Sequence, residues 1–79
     1  MRSFDEEAGT IRFSGYDGVM EVRFLLEAPA LERLAGLTRS PDTAYLDAFD
    51  RHRKQIETAA IRSYGKRRAS LVRLSFADF

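Results

Sequence analysis

Cysteine is absent from the 79 residues of this chain, and its absence excludes several kinds of site. Without thiols the protein forms no disulfide and holds no thiolate centre. A core of this size must therefore hold together without covalent cross-links, or with the help of a second copy of the chain. The lack of cysteine also fits a reducing compartment, and we expect the protein to be cytoplasmic.

Long apolar runs are also missing. No stretch approaches the roughly 20 apolar residues that a bilayer-spanning helix requires. The acidic start at Asp5, Glu6 and Glu7 is unlike a signal peptide, which opens with basic residues. Hydrophobic residues still make up 44% of the chain, which argues against disorder. These features predict one domain over residues 1–79 with no membrane partner, in which residues 1–8 lack a periodic pattern and are flexible.

The sequence offers little for catalysis, because histidine occurs only once, as His52. A metal site normally needs three or four ligands, and no set of His and Cys with ligand spacing is present. A nucleophilic serine needs a base that a third group orients, but His52 and the nearby Asp47 and Asp50 fall on different faces of one predicted helix. We predict no catalytic residue, metal or cofactor. A pair of carboxylates is the one enzymatic arrangement that the residues leave open.

Charge of either sign is nearly balanced, with a net charge of +1, which is too small to imply a polyanionic partner. Residues 1–39 carry five basic and seven acidic side chains, whereas residues 40–79 carry eight and five. An asymmetry of this size is typical of solvated surface.

Two segments of alternating polarity, residues 10–16 and 19–26, flank Asp17-Gly18 and predict a β-hairpin. Asp-Gly suits a tight two-residue turn because both central positions need positive φ. Residues 70–76 alternate again and predict a third strand. Each segment turns one face toward the core, and the apolar residues on those faces are Ile11, Phe13, Met20, Val22, Phe24, Leu26, Val72, Leu74 and Phe76.

One long helix is predicted over about residues 41–64. Ser40 suits its N-cap, and Pro41 suits the first helical position, where a missing backbone donor costs nothing. Gly65 can adopt the left-handed conformation that ends a helix. An apolar stripe recurs at three- and four-residue steps along this helix, at Tyr45, Phe49, His52, Ile56, Ala59, Ala60 and Ser63.

These elements predict an α+β fold in the order β-β-α-α-β. The first helix is short, covers residues 29–35 and is stopped by Gly36. Both helices pack on one face of a three-stranded antiparallel sheet. The third strand joins either edge of the hairpin, with the edge of the first strand favoured. The expected core residues are Ile11, Phe13, Val22, Phe24, Leu31, Leu34, Tyr45, Phe49, Ile56, Val72, Leu74 and Phe76.

The order of elements and several residues within them resemble a known family. The residues that carry the likeness are Leu31-Glu32 in the short helix, Phe49, Arg53, Ile56 and Ala60 in the long helix, and Leu74, Phe76, Asp78 and Phe79 near the end. Over residues 10–79 the chain resembles the small uncharacterised bacterial family called domain of unknown function 1488. The resemblance implies a single α+β domain from a bacterium, and it brings no catalytic residue.

The leading functional hypothesis is a non-enzymatic interaction or adaptor module, which binds a second copy of itself or another protein. The long helix, at about 36 Å, is longer than a seven-residue strand of about 23 Å, so one end should overhang the sheet. Ile61 falls among the charged residues of this helix. It suits a dimer contact, although a single exposed isoleucine also occurs without any function.

The alternative hypothesis is weak binding of nucleic acid or another polyanion. Arg12, Arg23 and Arg73 come from three strands and share the sheet face away from the helices. A second basic cluster, at the end of the long helix, consists of Arg62, Lys66, Arg67 and Arg68. Against this hypothesis, Tyr16 is the one aromatic residue that could serve this face for base stacking, and Glu21 neutralises part of the charge.

Overall fold

The computed structural model describes residues 2–79. In chain order it contains β1 (Ser3–Asp5), β2 (Thr10–Asp17), β3 (Met20–Glu27), α1 (Ala28–Ala35), α2 (Asp42–Arg51), α3 (Arg53–Arg67) and β4 (Leu71–Leu74), followed by a 3₁₀ turn at Phe76–Asp78. The fold is α+β, as predicted. Among the described residues, no helix combines the length and the apolar composition needed to cross a membrane.

The predicted hairpin is confirmed and forms the centre of the sheet. Strands β2 and β3 pair antiparallel from Thr10 opposite Glu27 to Asp17 opposite Met20. The turn lies one residue later than expected, because Asp17 belongs to the strand and Gly18-Val19 makes the connection. Gly18 has φ +64° and Val19 has no positive φ, so one glycine at the first position satisfies this turn.

Of the two edges left open for the last strand, the favoured one is wrong, and so is the predicted antiparallel direction. Strand β4 pairs with β3 rather than with β2, and it runs parallel, from Leu71 opposite Arg23 to Leu74 opposite Leu26. A parallel neighbour requires a long crossover, and here three helices lie between the two strands. The sheet is therefore mixed, with the order β1-β2-β3-β4.

A fourth strand, which the sequence analysis did not predict, lies within residues 1–8. Strand β1 pairs antiparallel with β2 from Ser3 opposite Arg12 to Asp5 opposite Thr10. Phe4 is held on the core side, where its ring stacks on Tyr45 at 4.9 Å. Three residues are too few to show an alternating pattern, which explains why this strand was missed. The sheet has four strands, not three, and Met1 lies outside the described residues.

The short helix is confirmed, and the long helix is interrupted. Gly36 has φ +69° and ends α1 as predicted. The single rod expected over about residues 41–64 consists of α2 and α3, which meet at His52. His52 has φ −107° and ψ 18°, yet its N–H donates to Ala48 O at 3.0 Å and its O accepts from Ile56 N–H at 3.1 Å. Hydrogen bonding thus continues through a bend.

Both ends of this helical layer differ from the prediction. The N-cap of α2 is Pro41, and the hydroxyl of Ser40 donates instead to the carbonyl of Thr38 at 2.6 Å. At the other end Gly65 stays inside α3. Arg68 ends the helix with φ +50°, and its N–H donates to Tyr64 O at 2.7 Å.

The core lies between the helices and one face of the sheet, as predicted. All the expected core residues except Phe76 are buried or pack against the buried cluster. The prediction of Phe76 as a core residue is wrong. Strand β4 ends at Leu74 and the chain turns into the 3₁₀ helix, which leaves the Phe76 side chain 53% exposed beneath the Arg33 guanidinium. Residues that the prediction omitted include Leu26, Ala28, Ala30 and Ala48.

We predict that aspartate substitutions at two isoleucines of α3 affect stability differently. Ile56 is fully buried and Ile61 is 72% exposed. Ile56→Asp places an unpaired carboxylate in the core and should unfold the protein, because the cost approaches the ~5 kcal/mol of a small domain's total stability. Ile61→Asp should keep the folded spectrum. Urea denaturation followed by circular dichroism compares the two, and a folded Ile56→Asp variant would contradict the buried stripe.

Because Arg68 has a left-handed backbone conformation, glycine should stabilise the protein more than alanine at this position, the reverse of their order inside a helix. We expect Arg68→Gly to be more stable than Arg68→Ala by about 1 kcal/mol, since both variants lose the arginine and only glycine tolerates positive φ without strain. Gly65→Ala is the matched control. It should stabilise by up to about 1 kcal/mol because this position is helical and open. Equal stability of the two Arg68 variants, measured by urea denaturation, would contradict this conformation.

Candidate functional site

An open groove lies between α3 and the half of the β2–β3 hairpin nearest its turn, which we call the outer half (residues 13–24). Its volume is about 520 Å³. Phe13, Val22 and Phe24 line it from the sheet, and Ile61 and Tyr64 line it from the helix. Strands β2 and β3 have eight residues each, whereas β4 has four and pairs only from Arg23 to Leu26, so the half of β3 nearest the turn has no strand on its β4 side within the described part of the chain.

Several apolar side chains at this end of the molecule are in contact with water. Ile61 projects from α3, and Tyr16 lies at the outer edge of the hairpin, each with 72% of its surface exposed. Val19 and Met20 are exposed at the hairpin tip. An apolar patch bordered by charged groups is typical of a surface that binds another protein.

A hydrogen bond joins the two sides of the groove near the hairpin tip. The Tyr64 hydroxyl donates to Asp17 Oδ2 at 2.7 Å. This bond to a carboxylate raises the pKa of the Tyr64 hydroxyl, because it stabilises the protonated phenol. The Arg68 guanidinium lies over the Tyr64 ring, 5.9 Å from its centroid. The tip of the hairpin is thus fastened to the last turns of α3.

The opposite end of the groove is closed by a second cluster. The Phe49 ring lies 5.1 Å from the Phe13 ring, and the Arg53 guanidinium lies 5.1 Å from the Phe49 centroid. Arg53 also pairs with Asp50 at 3.1 Å and approaches Glu57 at 3.9 Å. The groove therefore has a base beside an acid at each end.

The outer edge of β2 next to the groove has no neighbouring strand among the described residues. Strand β1 pairs with β2 only from Thr10 to Arg12. The N–H of Arg23 donates to Ser70 O at 2.9 Å, on the side of β3 that faces β4. In an antiparallel pair, opposed residues turn their backbone groups either toward each other or away. Ser14, which lies opposite Arg23, therefore points its N–H and C=O toward the open edge, and so does Tyr16.

The three predicted sheet arginines share one face, but acids accompany them. Arg12, Arg23 and Arg73 alternate with buried residues and point away from the helices. Arg73 Nε donates to Glu27 Oε2 at 2.6 Å. By the same alternation Asp5, Glu21 and Glu27 lie on this face, so its formal charges cancel.

The second predicted basic cluster lies on the other side of the sheet, with the helices. Arg62, Lys66 and Arg67 are exposed on the last turns of α3, and Arg68 follows as its cap. Arg67 Nη1 donates to the carbonyl of Arg73 at 3.1 Å. The two clusters meet through this backbone contact, and the sheet separates their charged groups.

Comparison with known proteins gives one match. The model of the family described as "Protein of unknown function (DUF1488)" matches residues 1–74. The chain belongs to the DUF1488 family. This confirms the family resemblance; the match extends it into the first nine residues and ends before Phe76, Asp78 and Phe79. No curated protein and no solved structure matches the chain.

In this DUF1488 protein the single histidine, His52, lies at the bend between α2 and α3. His52 Nδ1 lies 2.9 Å from Gln55 Oε1 on the same helical layer. Within residues 2–79 no three His, Cys, Asp or Glu side chains gather as metal ligands would. The sequence analysis singled out Ile61, but it missed the Asp17–Tyr64 bond and the open edge, because both depend on how distant elements meet.

We predict that the Asp17–Tyr64 bond of the DUF1488 protein is lost in alkali. The phenol is the form that donates, and its pKa is raised in the folded state, so the stability it contributes is present below the ordinary tyrosine pKa near 10. That stability disappears as pH rises through the raised value. NMR titration of the tyrosine ring carbons should show the pKa of Tyr64 falling toward 10 in Asp17→Asn.

The control for this titration is Tyr45, a core residue remote from Asp17 in the chain, whose hydroxyl donates to Glu32 Oε2 at 2.5 Å. This bond raises the pKa of Tyr45, and Asp17→Asn should leave that pKa unchanged. An unchanged pKa for Tyr64 in Asp17→Asn would contradict the bond across the groove.

Proposed function

We propose that this protein is a non-enzymatic interaction module that associates with a second copy of itself through the groove and the adjoining edge of β2. The observation that carries the proposal is the apolar groove beside an unpaired strand edge, with the side chain of Ile61 in water at the rim of the groove. A second copy is the occupant to which the proposal commits, and its contact surface would be the same set of residues.

The size of the chain supports association. A domain of about 60–80 residues buries only about 60% of the surface that its unfolded chain exposes, so its own core contributes little surplus stability. Burial of one isoleucine side chain stabilises by about 1.5–3 kcal/mol. A twofold contact buries Ile61 from both copies and so gains from this side chain twice.

The charges around the groove support a copy of this chain as the occupant. Arg53 and Arg68 are basic, and Asp17 and Glu57 are acidic, so the four groups carry no net charge. A surface with this balance does not repel its own copy, and it offers both signs for pairing across an interface.

A broader role follows from this proposal. We place the module in the bacterial cytoplasm, where a dimer can act as an adaptor that presents two identical surfaces. The family resemblance supports the bacterial origin, and the lack of cysteine is consistent with a reducing compartment.

Binding of a polyanion is the second candidate. The observation in its favour is the spacing of Arg62 and Lys66, which lie four residues apart and therefore share one face of α3. The neutral face that holds Arg12, Arg23 and Arg73 supports it less. Retention on mixed DNA and RNA that disappears at high salt would favour this candidate over the dimer.

We predict a mass that rises from one chain to two as protein concentration increases from micromolar to millimolar. Analytical ultracentrifugation measures this in low and high salt, and apolar association should persist in both. Ile61→Asp should weaken dimerisation at least about 100-fold, since two buried side chains are lost. Thr58→Asp is the matched control, because it adds the same charge to an exposed residue of α3 outside the groove.

A mass of one chain at every concentration would overturn the proposal. Equal weakening by Ile61→Asp and Thr58→Asp would show that charge alone, and not the groove, governs association. Retention of the parent protein on nucleic acid without any dimer would favour the polyanion candidate instead.

A further inference from the structure

We infer that the two copies join by strand addition: the open edges of their β2 strands pair antiparallel about Gly15 and create one continuous eight-stranded sheet. This inference rests on the proposed dimer and specifies its contact. Pairing of this kind uses backbone hydrogen bonds for affinity and neighbouring pockets for selectivity.

The orientation of the backbone fixes the register. Ser14 and Tyr16 both direct N–H and C=O toward the open edge, because their partners on β3 face the opposite way. In antiparallel pairing these two residues find partners together when Ser14 lies opposite Tyr16 of the second copy. The twofold axis then passes beside Gly15, and four backbone hydrogen bonds form across it.

The bounds of the open edge fit this arrangement. On one side the edge is limited by Arg12, the last residue of β2 that pairs with β1. On the other side it is limited by Gly18, where the turn begins. In the stated register Asp17 of the second copy lies opposite Phe13, one residue beyond the last β1–β2 pair, which is Ser3 with Arg12. Strand addition therefore displaces none of the observed pairing.

The residues along this edge are those that an unprotected strand presents. Sheet edges are commonly kept apart by charges, proline or a covering segment. Ser14, Gly15 and Tyr16 carry no charge and no proline intervenes. The other long side of the sheet ends in β4, where Arg73 pairs with Glu27. The contrast marks β2 as the edge open to pairing.

Gly15 also suits the position on the axis. It lies on the groove side of β2, where it would face Gly15 of the second copy in a pair without hydrogen bonds, with Cα atoms about 4.5 Å apart. With no side chain at the axis, the two grooves become one cavity. Ile61 of each copy lies at the border of this space on its own helix. In the dimer it would be buried, which accounts for its exposure in the single chain.

Cysteine cross-linking tests the register without interference, because the chain has no native thiol. A cysteine at position 15 has room, since the nearest atom to an added Cβ is Phe24 Cε2 at 3.6 Å. Under mild oxidation Gly15→Cys should form a covalent dimer at least about tenfold faster than Val19→Cys, because paired Cα atoms near 4.5 Å fall within disulfide geometry. Val19 is the matched control on the same hairpin, and it is 98% exposed.

Hydrogen exchange of the parent protein tests the same register if Gly15→Cys fails to fold. The amides of Ser14 and Tyr16 should exchange at least about tenfold more slowly at concentrations that give the dimer. The amide of Glu21 is the control, since it faces the β4 side beyond Leu71, which pairs with Arg23, and should exchange at an unchanged rate. Slowing of all three amides alike would contradict strand addition.

The outcomes separate this inference from the proposed function. A dimer that lacks both faster cross-linking at Gly15→Cys and protection of Ser14 and Tyr16 would overturn strand addition and leave the dimer in place. A chain that stays monomeric in ultracentrifugation would overturn both.

Discussion

Phe49 joins the two layers of this fold. Its side chain is fully buried, its ring contacts Phe13 on the sheet, and the Arg53 guanidinium covers it from α3. Three residues further on, the helical layer bends at His52, so that Ile56 also reaches the core. One bent layer of helix must therefore cover the core face of a four-stranded sheet. Where that layer runs decides which part of the sheet remains in water.

The path of the chain through this layer gives the groove and the open edge one cause. The three helices form the crossover from β3 to β4, which makes β4 parallel and places it beside β3. Strand β2 is thereby left with β1 as its only outer neighbour in the described residues, and β1 has three residues. The Arg2 guanidinium donates two hydrogen bonds to Asp50, from Nε to Oδ1 at 2.9 Å and from Nη2 to Oδ2 at 2.8 Å. This pair holds the start of β1 against α2. Beyond that contact, the half of β2 nearest the turn has no outer strand beside it among the described residues, and its tip meets α3 through the Asp17–Tyr64 bond.

The sequence predicted what depends on neighbouring residues. Alternation and Asp17-Gly18 located the hairpin, Gly36 located the end of α1, and helical spacing located the buried stripe, including Phe49 and Ile56. The position and direction of β4 depend on a crossover, which no local pattern encodes. The bend at His52 carries no proline or glycine. The open edge of β2 could not be predicted, because it is defined by the residue at which β1 stops. The groove could not be predicted either, because it depends on how α3 meets the distant hairpin.

The uncovered end of the hairpin is stable in the single chain for reasons that association would not disturb. The bond from Tyr64 to Asp17 holds the tip against α3, and the aromatic contact of Phe13 holds the other end, so the strand is already ordered. An ordered edge loses little further conformational entropy when it binds, which lowers the cost of pairing. Because a second copy would bind the folded chain and not the unfolded one, association would add to stability by mass action. The short β1 that leaves this edge open would then be part of how a small core is completed.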